Sequence, residues 1–327
     1  GFSPLEWPVV RRMIHATADF EYKALTRFSQ GAVEAGLKAI QAGARILVDA
    51  RMIACGLNPE RLRLFGNEVV ELLAHPEVVA RAKATGGTRA EAAVAAPPRE
   101  FAILHEDEHL LAIDKPAGVA VHGGSGVSFG VIEQLRRARP QAKFLELVHR
   151  LDKETSGVLL LAKKRSALTA LQDQFRQRGT VKVYAALVVG RWPASRKVID
   201  VPLLRTTDAR GERQVRAVGA DHDEARRSIT LVKVLRAFDA YTLLDVTLKT
   251  GRTHQIRVHV AHEGHPIAGD PKYGDFAANR VLARGDHRFA RMFLHAKHLA
   301  FDHPASGERV MLDAPLPEAC SRLLEQL

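Results

Sequence analysis

The first hundred residues alternate between apolar positions at helical spacing and short apolar runs. Three apolar side chains share one face of a helix predicted over residues 30–42 with Ser29 as its N-cap: Val33, Leu37 and Ile40. The apolar run that follows predicts a strand over Arg45–Asp49, and a second helix is predicted over Glu77–Ala84. These strands are too few for a complete sheet. The segment is therefore predicted to be an incomplete piece of an α/β domain.

Beyond about residue 100 the pattern becomes richer in strands. Two short strands flank the polar turn Glu106–Glu108, and the wholly apolar run Val158–Leu161 predicts a buried strand. Longer strands are predicted over Val181–Val189, Ser228–Val234 and Thr242–Leu248. Helices are predicted over Phe129–Arg137, Ala167–Arg178 and His254–His262. Helices interleaved with strands at hairpin spacing predict an α+β fold with a mixed, mostly antiparallel central sheet.

A small-residue stretch separates these two patterns. Residues 92–98 read Ala-Ala-Val-Ala-Ala-Pro-Pro, and two consecutive prolines do not fit inside a helix. We therefore expect an incomplete α/β segment over residues 1–94, a linker over 95–100 and a second domain over 101–327.

The positive charge is concentrated in the second domain. The formal net charge is +11, from 48 Lys and Arg against 37 Asp and Glu. Residues 1–97 hold 12 against 10, a net of +2, which leaves 36 against 27, a net of +9, for the remainder. A basic domain favours a polyanionic partner such as nucleic acid, although many basic proteins bind nothing anionic.

Other features favour a cytoplasmic protein. No apolar run reaches the roughly 20 residues of a membrane helix, and the first residues lack the features of a secretory signal. Cys55 and Cys320 lie far apart without a Cys-x-x-Cys pattern, so neither a disulfide nor a zinc site is expected. We expect no contact with membranes and no bound metal.

The polar run His149–Gly157, which precedes the buried strand, is the first candidate for chemistry. Its sequence is His-Arg-Leu-Asp-Lys-Glu-Thr-Ser-Gly, and a loop joined to a buried strand places side chains at the rim of a sheet. Asp152 is flanked by Arg150 and Lys153, cations that favour an ionised carboxylate, and such a carboxylate is able to act as a covalent nucleophile. Taken alone, the same run equally describes a solvated loop with a surface salt bridge.

A second polar run, Thr250–His259, is predicted to begin a helix capped by Thr250 or Thr253. Arg257 lies between His254 and His259, whose spacing of five residues does not suit a metal site on one helix face. One interpretation is that this run supplies a cation that pairs with Asp152. A helix end with phosphate-binding or merely solvated side chains is the alternative.

Together these runs resemble the RluA-type pseudouridine synthases, most closely the RluC-like enzymes of large-subunit ribosomal RNA. The resemblance covers residues 100–327 and includes, in order, Leu111–Ala117, the His149–Gly157 run, Lys182–Ala185, the Thr250–His259 run, Gly264–Asp270 with Tyr273-Gly274, Phe293–Ala296 and Ala314–Leu316. It implies the pseudouridine synthase fold and the isomerisation of uridine in RNA, without a cofactor. The expected partner is 23S ribosomal RNA, and the catalytic domain is expected to be monomeric.

The resemblance also implies roles for individual residues. Asp152 falls on the nucleophile, Tyr184 on the tyrosine that packs against the target base, and Arg257 on the arginine that pairs with the aspartate. Arg150 falls on the residue that fills the gap left by the flipped base. Three further residues are expected to take part in RNA binding or base flipping: Lys115, Arg252 and His254.

Residues 1–94 resemble a different family, the precorrin-8X methylmutases of the vitamin B12 pathway. The matching runs include Val10–Ala16, Ser29–Val33 and Asp49–Ile53. His15 falls on that family's proton-donating histidine, which is here expected to be vestigial. About half of such a domain is present, so we expect a chimera or fusion without methylmutase activity.

Three hypotheses for the function follow. The first is an RNA-modifying isomerase, the second an RNA-binding protein that has lost catalysis, and the third a tetrapyrrole methylmutase that uses His15. The complete set of Asp152, Tyr184 and Arg257 favours the first, because a protein that only binds RNA does not need all three.

Overall fold

The computed structural model describes residues 2–17, 20–21, 23, 26, 28–29, 31–48, 57–71, 78–79, 99–123, 129–207, 213–219 and 222–327. The chain divides into two compact units, an N-terminal unit of Gly1–Ala95 and a C-terminal unit of Ala96–Leu327. Residues 95–98 of the predicted linker, Cys55 and most of the predicted helix Glu77–Ala84 lie outside the described residues.

The N-terminal unit alternates helices with two short strands. Its elements are α1 (Trp7–Thr17), α2 (Ala32–Gln41), β1 (Ile46–Val48), α3 (Pro59–Phe65) and β2 (Val69–Glu71). β1 and β2 pair in parallel, with Ile46 opposite Val69. The predicted helix and strand are thus confirmed with shorter bounds. Ser29 as N-cap is wrong, because α2 begins after Gly31, whose φ of 73° suits a residue without a side chain.

Few side chains of the N-terminal unit are buried. Neither α2 nor α3 has a buried residue, and among the described residues of this unit only Val10 and Val78 are buried apolar side chains. Several large apolar side chains are exposed instead: Leu5, Trp7, Val9, Phe20, Leu37, Ile40, Leu64 and Phe65. A two-stranded sheet does not cover these side chains, in agreement with an incomplete α/β segment.

The C-terminal unit is built on a ten-stranded sheet. Eight strands follow the order β3-β4-β6-β13-β7-β12-β11-β8, while β14 pairs with β13 and β5 with β6. Their bounds are β3 (Ala102–Glu106), β4 (Leu110–Lys115), β5 (Glu146–Leu147), β6 (Ser156–Ala162), β7 (Val181–Val189), β8 (Val198–Asp200), β11 (Ile229–Ala237), β12 (Tyr241–Leu248), β13 (Leu294–Asp302) and β14 (Arg309–Asp313). A separate hairpin pairs β9 (Leu203–Thr207) with β10 (Arg213–Ala217). In the large sheet only β6 and β13 pair in parallel, which confirms the mixed, mostly antiparallel prediction.

Among the described residues of this unit, five helices accompany the sheet: α4 (Val131–Ala138), α5 (Arg165–Gln177), α6 (Gln255–His262), α7 (Phe276–Arg284) and α8 (Glu318–Gln326). The first three correspond to predicted helices, whereas α7 and α8 were not predicted. α5 packs on the core through Ala167 and Leu171, with Leu168 and Phe175 partly buried beside them. The buried face of α5 thus follows the helical spacing of its apolar residues.

The central strand β6 explains why its sequence is apolar without alternation. All seven residues from Ser156 to Ala162 are buried, because β6 lies between β4 and β13 and both faces of the sheet are covered. One face contributes Leu159 and Leu161 to a core that includes α4, and the other contributes Val158 and Leu160 to a core that includes α5. The loop that precedes β6 thus rests on a rigid element.

Candidate active site

The loop that carries Asp152 joins β5 to β6 and is fixed at both ends. At its start, His149 Nε2 accepts a hydrogen bond from the Leu160 backbone N–H at 3.1 Å. At its centre, the Lys153 carbonyl accepts from the Gly118 N–H at 2.9 Å, and the Thr155 N–H donates to the Asp152 carbonyl at 3.1 Å. These bonds hold the backbone beside the nucleophile candidate in one conformation.

Gly157 allows β6 to approach β13 at the end of this loop. Its φ is 111°, and a Cβ at this position would overlap the backbone of Ala296, its partner in the parallel pair. Only glycine fits such a position without strain. The final residue of the His149–Gly157 run is therefore required by the close approach of two strands.

The opposite wall of the site comes from the turn before α6. His254 occupies the N-cap position in the left-handed conformation, with φ of 53°, and no side chain caps the helix. The predicted caps Thr250 and Thr253 are therefore wrong. Instead, Gln255 Oε1 accepts from the Thr250 hydroxyl at 2.8 Å and from the Arg252 N–H at 3.0 Å.

Arg257 connects the two walls. Its Nη1 donates to Asp152 Oδ2 at 2.9 Å, while its Nε and Nη2 donate to the two oxygens of Asp270 at 2.7 and 2.8 Å. The Arg257 side chain is 6% exposed, that of Asp270 is 0% exposed and that of Asp152 is 27% exposed. A fully buried carboxylate thus orients the guanidinium in a bidentate pair, and the guanidinium orients the more accessible carboxylate.

The surroundings of Asp270 keep it ionised. Its Oδ1 also accepts from the backbone N–H groups of Lys272 and Tyr273, at 2.8 and 3.0 Å. Burial by itself raises the pKa of this carboxyl, but the hydrogen bonds and charge of Arg257 outweigh burial, so the pKa lies below its usual range. Asp270 is the last residue of the Gly264–Asp270 motif, and no role was predicted for it.

Only one oxygen of Asp152 is engaged by the protein. Within the described part of the chain, Oδ2 accepts the hydrogen bond from Arg257 and lies 3.9 Å from His254 Nε2, whereas Oδ1 accepts none. The guanidinium stabilises the negative charge, and Oδ1 retains its lone pairs. This arrangement suits a carboxylate nucleophile.

Tyr184 lies on β7 and lines the same cleft as Asp152. Its ring packs partly buried against two apolar clusters of the sheet. Burial, together with the charge of Asp152, raises the pKa of its phenol well above the usual range, so the hydroxyl is neutral at physiological pH. Tyr184 therefore offers an apolar ring face and an uncharged hydroxyl.

His254 is hydrogen-bonded to Tyr273, a residue for which no role was predicted. His254 Nδ1 and the Tyr273 hydroxyl are hydrogen-bonded at 2.9 Å, and that hydroxyl also accepts from the Val215 N–H at 3.3 Å. Arg257 lies over the Tyr273 ring at 5.0 Å from its centroid. Burial lowers the pKa of His254, which favours the neutral imidazole beside Asp152.

Arg150 and Arg252 line a cleft of roughly 500 Å³ together with Asp152, Tyr184 and Arg257. Both arginine side chains are exposed at its rim. A cleft of this volume lies in the range that accommodates a small ligand such as a nucleotide. The predicted residues Arg150, Asp152, Tyr184, Arg252, His254 and Arg257 therefore meet at one site.

Lys115 does not fit its expected part in RNA binding. Its side chain is 0% exposed, and its Nζ donates to the carbonyl oxygens of Pro116, Val119 and Lys153 at 2.8, 2.7 and 3.1 Å. Burial lowers its pKa to about 7, although the charge of Glu154 favours the protonated form. All three donors of the ammonium are used, so Lys115 positions the loop of Asp152 from behind.

The remaining expectations concern residues away from this cleft. His15 lies in α1, but its side chain lies outside the described residues. His259 lies in α6 and points into the core, where it contacts the Thr230 hydroxyl at 2.8 Å and the Val201 carbonyl at 2.9 Å. In the described ranges, no group of three or more His, Cys, Asp or Glu side chains is arranged to hold a metal ion, and no helix is long and apolar enough to span a membrane.

Comparison with known proteins matches the two halves of the chain to different families. A family model described as RNA pseudouridylate synthase matches residues 109–262, and one described as precorrin-8X methylmutase matches residues 1–106. The ribosomal large subunit pseudouridine synthases C of Escherichia coli K12 and Vibrio vulnificus are 51% and 47% identical over 225 residues, which cover 69% of this chain and 69% of each relative.

Two solved structures are similar to parts of this chain. The human RNA pseudouridylate synthase domain containing 4 is 29% identical, with a TM-score of 0.57, over 69% of this chain and 92% of that chain. A precorrin-8X methyl mutase from Thermus thermophilus is 98% identical over 29% of this chain and 45% of that chain, with a TM-score of 0.26.

Proposed function

Because the chain belongs to the RNA pseudouridylate synthase family, we propose that its C-terminal unit isomerises uridine to pseudouridine in RNA with Asp152 as the nucleophile. The observation that carries this proposal is the carboxylate of Asp152 at the cleft. One of its oxygens is held by Arg257, and the other accepts no hydrogen bond from the described residues.

The proposed reaction begins with extrusion of the target uridine from the RNA stack, which costs a few kcal/mol. Arg150, exposed at the rim, occupies the space that the base leaves. Asp152 attacks the nucleoside, the N1–C1′ bond breaks, and the uracil rotates within the cleft. A C5–C1′ bond then forms, and the bond between Asp152 and the nucleoside breaks and frees the carboxylate. The proton on C5 is lost and N1 gains a proton, so the atoms of uridine and pseudouridine balance.

The neighbours of Asp152 have distinct proposed roles in this sequence. Arg257 donates a hydrogen bond to the carboxylate and orients it at the cleft, and Asp270 keeps Arg257 in place. Tyr184 packs against the uracil, and its neutral hydroxyl is able to donate a hydrogen bond during the proton transfer. Arg252 and His254, on the opposite wall, contact the RNA beside the extruded base.

We propose that the substrate is large-subunit ribosomal RNA, because the relatives that match over 225 residues are named for that activity. A cytoplasmic location and a monomeric catalytic unit that uses neither a metal nor another cofactor complete the proposal. The isomerisation needs no external group donor and no change in oxidation state.

Release of tritium from 5-tritiated uridine in 23S ribosomal RNA tests the proposed function. We expect the parent chain to release label and Asp152→Asn to release none above background, because an amide cannot replace the carboxylate nucleophile. Asp302→Asn, at an exposed ion pair with Arg309, is the matched control and should retain parental activity. A parent chain that binds the RNA but releases no label would favour an RNA-binding protein without catalysis.

For the N-terminal unit we propose no methylmutase activity. The described residues of this unit contain two strands and two buried apolar side chains, which do not enclose a substrate site. An assay of precorrin-8X turnover tests this directly. Product formation that disappears in His15→Ala would restore the methylmutase hypothesis.

A further inference from the structure

The cleft holds far more positive than negative charge. Among the described residues that line it, Asp152 is the one carboxylate, whereas six residues are Lys or Arg. Arg257 is already neutralised by Asp152 and Asp270. The other five form no salt bridge with any residue in the described ranges: Arg150, Lys153, Lys182, Arg205 and Arg252. Their charges are available to an anionic ligand.

Lys182 differs from the other four because it is half-buried and held in place. The other four side chains are exposed. The Lys182 ammonium lies over the ring of Phe175, 5.2 Å from the centroid, and Phe175 is itself packed against the core. The side chain is therefore oriented before any ligand binds, and less conformational entropy is lost when it forms a contact.

No neighbour in the described part of the chain supplies a negative charge to this half-buried ammonium. His149 stacks on Phe175 with ring centroids 4.9 Å apart, and burial, reinforced by Lys182 itself, lowers the pKa of His149 to about 4. His149 is therefore neutral at physiological pH. Beside Lys182 lies Gly251, where an added Cβ would be 4.0 Å from the ammonium. The site thus desolvates a cation without pairing it, a cost that a bound anion offsets.

Lys182 lies on β7 close to Tyr184, the residue proposed to pack against the reacting base. Lys182 and Tyr184 are two residues apart on one strand, so their side chains point to the same face, and both line the cleft. Their Cα atoms are separated by roughly 7 Å, twice the rise per residue of a strand. The ammonium thus lies close to, but apart from, the base that Tyr184 contacts.

We propose that Lys182 binds a backbone phosphate of the RNA next to the extruded uridine, in a subsite formed with Gly251 and the ring of Phe175. This inference rests on the proposed function for the identity of the ligand. Arg150 and Arg252, at the exposed rim, attract the RNA electrostatically. The oriented ammonium of Lys182 fixes the position of the RNA strand relative to Asp152.

The test is the affinity for a 23S ribosomal RNA transcript measured from about 50 to about 300 mM KCl. For Lys182→Met, which keeps the packing on Phe175 but removes the charge, we expect the Kd to rise about tenfold at low salt. The slope of log K against log salt should fall by about 0.7 to 0.9, the value for one lost phosphate contact. Lys182→Arg should restore the slope.

Lys197→Met is the matched control, because this exposed lysine precedes the outer strand β8 and does not line the cleft. We expect parental affinity and slope for it. Circular dichroism establishes that each variant is folded, and Lys182→Gln replaces Lys182→Met if the latter unfolds. A parental salt slope in folded Lys182→Met or Lys182→Gln would overturn the inference, since a purely structural role does not alter the number of phosphate contacts.

Tritium release separates this inference from the proposed function. Asp152→Asn should bind RNA with the parental salt slope but release no label, whereas Lys182→Met should release label with an increased KM. A parent chain without tritium release whose salt slope still depends on Lys182 would refute the proposed function and support the phosphate subsite. Release of label together with an unaltered salt slope in Lys182→Met would support the proposed function and refute the phosphate subsite.

Discussion

Asp270→Asn is expected to destabilise the C-terminal unit severely, although Asp270 does not line the cleft. The carboxylate is fully buried and accepts four hydrogen bonds, two from Arg257 and two from backbone N–H groups. An asparagine is able to keep the three that reach Oδ1. Its NH₂ group, however, would face Arg257 Nε, now 2.7 Å from Oδ2, so a charged hydrogen bond becomes a contact between two donors.

The magnitude follows from the burial of Arg257. A guanidinium that is 6% exposed would keep only Asp152 as its counter-ion, through one hydrogen bond. Removing one partner of a buried ion pair costs about 3–5 kcal/mol. Asp302→Asn, the same substitution at the exposed pair with Arg309, should cost less than about 1 kcal/mol. The same chemical change therefore has very different effects at the two positions.

Urea unfolding measures this difference if the signal comes from one unit. Trp192 is buried in the C-terminal unit and Trp7 lies in the N-terminal unit, so a Trp7→Phe background makes the fluorescence report on the C-terminal unit. Asp270→Asn should lower the free energy of unfolding by about 3–5 kcal/mol and also reduce tritium release, since Arg257 loses its orientation. A loss no larger than that of Asp302→Asn would refute the reasoning.

The pH dependence gives an independent check with a defined sign. The pKa of Asp270 is lowered in the folded state, so the unfolded chain binds more protons at acidic pH. Its contribution to stability is complete above the unfolded value of about 4 and is lost as the pH falls through the folded pKa. The difference in stability between parent and Asp270→Asn should therefore shrink below about pH 4.

Two further substitutions test how the loop of Asp152 is held. Lys115→Met removes the donor of three carbonyls and should destabilise the unit by about 3 kcal/mol or more. Amide hydrogen exchange at Gly118 should also become faster. The exposed Lys197→Met should change neither the stability nor this exchange rate. Gly157→Ala should lower the free energy of unfolding by roughly 2–6 kcal/mol, because alanine is strained at this φ and its Cβ overlaps Ala296. A variant as stable and as active as the parent would contradict the role given to Gly157.

The sequence by itself determined the elements whose pattern reflects local burial. The apolar runs of β6 and β7, the helical spacing of α5 and the polar loop between β5 and β6 all occur where they were predicted. The order of the motifs also predicted that Asp152, Tyr184 and Arg257 belong to one site, and the structure places them around one cleft. Their individual catalytic roles remain proposals.

Contacts between distant segments were decided only by the tertiary structure. Ser29, Thr250 and Thr253 are plausible caps by residue type, yet Gly31 and His254 in left-handed conformations begin those helices, and Gln255 engages Thr250. The edge strands β8 and β14 are too short or too polar for a clear apolar pattern, so their existence depends on pairing with β11 and β13.

The same distinction applies to charge at the site. The sequence does not specify the surroundings of any lysine side chain. Folding buries Lys115 against three carbonyls and holds Lys182 over Phe175 at the cleft. Asp270 and Arg257 are 13 residues apart in the chain, and Asp152 is 105 residues from Arg257. The sequence thus specifies which ionisable groups are present, whereas the tertiary structure specifies which of them are buried and paired. Burial and distance then determine whether a charge stabilises the fold or remains available to a ligand.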